Sequence, residues 1–380
     1  MEKKAAEEVP RTAVVGSTAL VLVDPVARVV DKLFFPARQQ QGSPMLCRLH
    51  EDGMKVSVFP KGAVDSQGAA MGISLQDCMV LDGYEPARKE AAAYAWLRGM
   101  GLQKLLTPEP LIRVRWEDIV ATAHAPKPWR GAVACLQFTY GGPSLQALVA
   151  AATPAPLAGV LRAVPQVLHV LTLWFAVGGV HQDIKMSNLL FDVATGHMTL
   201  CGLKLASPAD FVGFMRRPRP YAYFPRDYML YAVNHGVLPS STLEDEELYA
   251  DWGPLQPRVD AINGMMMRFG LPPALVRLPG PMLAETYGAH FGSRDVQDEH
   301  LGEALTWKYR TSAVDTYMFG LAMLDFVEGA LAASAESSPM LPPALQVFAA
   351  MVQQDVSSRL CARDALSRWN FLMGGLSSPT

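Results

Sequence analysis

Between residues 157 and 202 the chain passes through three stretches of different character, and this succession restricts the fold more than any other feature. Leu157 to Val180 is almost wholly apolar, yet Arg162, Pro165 and His169 interrupt it. A membrane span needs ~20 nearly uncharged residues, so the stretch reads as a buried core helix. It runs into His181-Gln182-Asp183-Ile184-Lys185-Met186-Ser187-Asn188-Leu189-Leu190, where a carboxylate, an ammonium and a carboxamide crowd one short loop. Two segments of alternating polarity follow, LLFD and HMTLCG, split by a turn at Ala194 to Gly196. They predict a small hairpin. A loop rich in chemistry is thereby pinned between a core helix and a hairpin.

This loop closely resembles the protein-kinase catalytic loop, H-R-D-L-K-x-x-N. In that family the Asp accepts the substrate hydroxyl proton, the Lys reaches the transferring phosphoryl group, and the Asn holds a second magnesium ion. Asp183, Lys185 and Asn188 occupy those positions here. A chance H-x-D in an ordinary loop would not match in six features and also sit in this context. The resemblance implies an α+β, bilobal protein-kinase-like fold. Residues 1–44 are then an N-terminal extension, 45–139 a small β-rich lobe, and 140–380 a larger helical lobe with an insertion at about 228–310. A retained loop does not imply retained chemistry.

Elsewhere the family's pattern breaks down. A kinase β3 lysine, in V-A-I-K, binds nucleotide phosphates and pairs with a helix glutamate. The strand read as its counterpart is Lys55-Val56-Ser57-Val58-Phe59, which puts Ser57 at the lysine position. Lys55 and Lys61 lie on the same strand face as residue 57, one and two repeats away; they are poor candidates for a substitute lysine, and the plainer reading is solvated hairpin lysines. Glu90, in RKEAAAYAWLRGM, is either the partner glutamate or a solvated helix residue. MLCRLHEDG, ahead of that strand, has no G-x-G-x-x-G to close over phosphates. The metal-binding D-F-G aligns with Gly202-Leu203-Lys204, so the carboxylate is replaced by glycine. Magnesium is a hard cation held by carboxylates and phosphate oxygens. These positions imply no functional MgATP binding, no cofactor and no metal site. Asp183, Lys185 and Asn188 then read as vestigial.

The structural landmarks are better kept. Asp315, in Val314-Asp315-Thr316-Tyr317-Met318-Phe319-Gly320, resembles the D-x-W-x-x-G helix that supports the catalytic loop. Asp355 to Arg359 resembles the late D-P-x-x-R segment, whose Arg pairs with the Glu of A-P-E; the matching pair here is Asp227 and Arg359. Gln182 replaces the Arg that grips an activation-loop phosphate in many kinases, so no phosphate switch of that kind is expected. Within the insertion, the acidic run Glu244 to Glu247 reads as a solvated face, and Met265 to Met267 as core or as adaptable partner surface.

The remainder of the chain reads coarsely. Ala13 to Val23 is a strand or capping segment with no cleavage pattern after it. Val26 to Phe35 has apolar residues at 26, 29, 30, 33 and 34, a helical stripe stopped by Pro36. MLCRLH, the turn EDG and MKVSVF predict a hairpin, and Glu85 to Met100 a helix. Lys+Arg 33 against Asp+Glu 36 leaves no basic field for nucleic acid. The five cysteines, Cys47, Cys78, Cys135, Cys201 and Cys361, have no CxxC spacing and read as buried thiols.

The missing glycine loop, the G-L-K replacement and the insertion together resemble the secreted rhoptry-type kinases and pseudokinases of coccidian parasites. Within these the chain resembles the branch without a glycine loop, of the bradyzoite pseudokinase type. That resemblance implies secretion into the parasite's vacuole or cyst wall, and no transmembrane segment. The expected function is an inactive pseudokinase that binds other proteins, with the 228–310 insertion as the interface. Two alternatives stand beside it: an atypical active kinase without a glycine loop, and a nucleotide-binding switch.

Overall fold

In the computed structural model the chain divides into two compact units, Met1–Gly141 and Gly142–Thr380. The structure describes residues 12–15, 20–24, 28–34, 45–49, 56–60, 90, 92–94, 97, 111–119, 129–151, 156–203, 206–208, 225, 256–275, 314–333, 338–353 and 358–374.

The first unit is built on an antiparallel sheet of five strands. β1 (Thr12–Val15), β2 (Leu20–Asp24) and β3 (Val29–Phe34) follow one another as a meander. A separate hairpin comes next, β4 (Met45–Leu49) and β5 (Val56–Pro60), paired from Met45 opposite Pro60 to Leu49 opposite Val56. β6 (Leu111–Ile119) and β7 (Trp129–Thr139) complete the main sheet in the order β1-β2-β3-β7-β6. Residues 90, 92–94 and 97 lie on a helix that buries Glu90, Ala93, Tyr94 and Leu97. The Tyr94 ring meets Phe138 of β7 with centroids 5.5 Å apart, which seats this helix on the sheet.

Two readings of the N-terminal region are overturned here. Residues 12–34 are not an extension, because they supply three of the five strands. The stripe at 26–35 is not helical: Val29 to Phe34 pairs with β2 on one side and β7 on the other. Adjacent β-branched residues, Val29 and Val30, suit a strand, and two neighbouring strands supply the hydrogen bonds that local periodicity cannot anticipate.

The second unit is mainly helical. The chain enters through Gly142, at φ +97, where a Cβ would stand 2.2 Å from the Phe191 carbonyl oxygen. Ser144 then caps α1 (Leu145–Ala150), its Oγ accepting from the Ala147 N–H at 3.1 Å. α2 (Leu157–Ala176) buries Leu157, Val160, Leu161, Val164, Val167, Leu168, Leu171 and Trp174, the spacing of one helical face. β8 (Gly179–Val180) pairs with β11 (Ser207–Pro208), and β9 (Leu189–Asp192) with β10 (His197–Leu200). α3 (Gln256–Arg268), α4 (Val314–Ala333), α5 (Leu341–Met351) and α6 (Ala362–Gly374) follow.

α4 is buried continuously from Val314 to Val327, so it has no polar face, and α1, α2, α3 and α5 all pack on it. α2 and α4 are each long and apolar enough to cross a membrane by length and composition, but 50% and 72% of their apolar windows are buried inside the structure.

Candidate functional site

The site in the second unit forms where α2 stops. Val177 donates back to the Leu173 carbonyl, and Gly178 at φ +72 turns the chain into β8. The segment from His181 then crosses to a single 3-10 turn, Met186–Asn188, which leads into β9.

Asp315 of α4 organises the first half of this segment. Its Oδ2 accepts from the His181 N–H at 2.7 Å and its Oδ1 from the Gln182 N–H at 2.9 Å. Gln182 sits at φ +62, a left-handed conformation costly for a residue with a Cβ, and the two bonds to Asp315 hold it there. Burial pushes the Asp315 carboxyl up to about 6, against the pull of the two N–H donors. Burial likewise drives the His181 imidazole down to about 4, with the Asp183 charge acting in the opposite sense. The bonds define the tautomer of this neutral ring. Nδ1 accepts from the Asp183 N–H at 3.1 Å, so Nε2 carries the proton and donates to the Cys201 carbonyl at 3.0 Å.

The second half closes on Asp183. Lys185 Nζ reaches its Oδ1 at 3.0 Å. Asn188 Nδ2 donates to its Oδ2 at 3.1 Å and to its main-chain carbonyl at 2.6 Å. The Cys201 N–H donates to the Asn188 carbonyl at 2.9 Å, which brings the β10 exit beside the turn. Gly202 follows at φ +83, and a Cβ on it would stand 2.7–2.8 Å from the three terminal atoms of the Asn188 carboxamide. Leu203 is fully buried beyond it.

The cation that the kinase resemblance implies does not fit these residues. Magnesium demands oxygen ligands in near-octahedral array. Residue 202 has no side chain to offer, and Asn188, with Nδ2 donating to Asp183, leaves only its neutral Oδ1 beside residue 202. Both Asp183 carboxylate oxygens already have protein partners.

The first unit holds a second feature. Lys32 of β3 forms an ion pair with Glu90 at 2.5 Å, with the two side chains 19% and 1% exposed. Lys32 shares a strand face with Val30, whose cross-strand partner is Phe138. The helix through Glu90 and Tyr94 therefore covers this face. Glu90 is thus not a solvated helix residue. Residue 57, read from the sequence as the counterpart of the family's lysine, lies on the separate β4–β5 hairpin opposite Arg48, whereas the lysine that pairs with Glu90 is Lys32. The signal that sequence reasoning missed was a lysine two residues after the β-branched pair Val29-Val30, ahead of the helix. In the sequence, β1 and β2 are joined by residues 16–19, Gly-Ser-Thr-Ala, a stretch with a single glycine.

Of the remaining predicted positions, Arg359 is buried; its Nε donates to the Gln353 carbonyl at 2.8 Å and its guanidinium lies 5.1 Å from the Tyr317 ring centre. Asp227, its expected partner, lies outside the described residues, as does most of the insertion. Within residues 228–310, α3 buries Ile262, Met265 and Met266 and leaves Met267 61% exposed. Arg258 of α3 pairs with Asp325 of α4, and Asn263 clamps the Leu275 backbone with bonds of 2.9 and 3.0 Å. Cys201 and Cys361 are free thiols, both partly exposed rather than buried. No protein-family model and no curated protein matches the chain.

Proposed function

We propose that this chain is a bilobal, kinase-like protein retired from phosphoryl transfer, which acts by binding other proteins. The observation that carries the reading is Gly202: the position for a metal-holding carboxylate is a glycine, and Asn188 occupies the volume a side chain there would need. The single glycine between β1 and β2 supports it, since a phosphate-closing loop relies on several. The loop at Asp183, Lys185 and Asn188 then serves as scaffold, bonded within itself and hung from Asp315. Its resemblance to coccidian rhoptry-type proteins supports secretion to the vacuole or cyst wall. The insertion at about 228–310 is the proposed interface, and within it α3 leaves Met267 61% exposed.

The test measures phosphoryl transfer from labelled ATP by the wild type and by Asp183→Ala. Equal, background-level signals are expected; activity that vanishes in the variant would overturn the reading.

One observation favours a second reading. The Lys32–Glu90 pair keeps a cation of the kind that holds nucleotide phosphates, so a nucleotide-binding switch without transfer is the alternative. A thermal-shift titration with ATP, with and without Mn²⁺, on the wild type and Lys32→Met separates the two. A Tm rise lost in Lys32→Met would favour the switch.

A further inference from the structure

We draw no further inference here: the strongest candidate, the exposed apolar surface that Met267, Pro272 and Pro273 present at the C-terminal end of α3, is a face without a partner, and nothing in the structure shows what covers it.

Discussion

The buried pair of titrating groups at the loop, His181 and Asp315, makes a prediction that can be worked through in numbers. The His181 pKa is depressed, so the stability it contributes is present above its unfolded value of 6.5 and is lost as pH falls toward about 4. The Asp315 pKa is raised from 3.8 to about 6, so its contribution is largest below 3.8 and is lost as pH rises through about 6. Between those limits the two slopes have opposite signs. A proton bound in only one of the two states changes stability by about 1.4 kcal/mol for each step of one in pH. Going from pH 6.5 to 4.5 therefore costs the fold about 2 kcal/mol through His181 and returns about 2 kcal/mol through Asp315. The wild type is buffered against mild acid at this point. Asp315→Asn removes one side of the balance. Its amide can accept from one of the two backbone N–H groups but turns donors toward the other, so one of the two bonds is lost. The diagnostic quantity is the extra pH dependence. Urea melts at pH 6.5 and 4.5 should show Asp315→Asn losing about 2 kcal/mol more than the wild type over that interval. All other titrating groups cancel in the comparison. Parallel curves for the two proteins would refute the reasoning, because they would mean that Asp315 does not titrate in that interval.

Three further outcomes follow from the packing. Lys32→Met leaves the Glu90 carboxylate buried without its cation and should cost about 3–5 kcal/mol in denaturant melts, whereas Lys32→Arg should recover part of it. Arg258→Ala strands Asp325, whose side chain is 2% exposed, and should raise amide exchange across α3 ahead of the rest of the second unit; uniform exchange would show that the pair does not anchor the helix. Met266→Ala should destabilise by about 2–5 kcal/mol and Met267→Ala by no more than ~0.5, a contrast that equal melting temperatures would refute.

How far the chain could be read from its letters depended on whether the signal was local. The segment His181 to Asn188 declares itself, because its polar residues are consecutive and flanked by an apolar helix and an alternating hairpin, all within one short stretch. Asp315 was legible as its support, and it makes the two bonds to the loop backbone. The β4–β5 hairpin was legible for the same reason: its turn and both strands are contiguous. Lys32 was not. Its stripe fits a helix and a strand equally well, and what decides is pairing with β7, about a hundred residues later, which no local period encodes. The sequence could say that Gly202 lacks a carboxylate, since that is a matter of residue identity. Only the tertiary structure says what a side chain at 202 would meet. That answer depends on a positive φ and on the carboxamide of Asn188, brought beside residue 202 by the β9–β10 pairing and held there by Asp183. Met265, Met266 and Met267 make the same division at smaller scale: identical side chains in a row, two buried and one exposed, sorted by the face of α3 that meets α4.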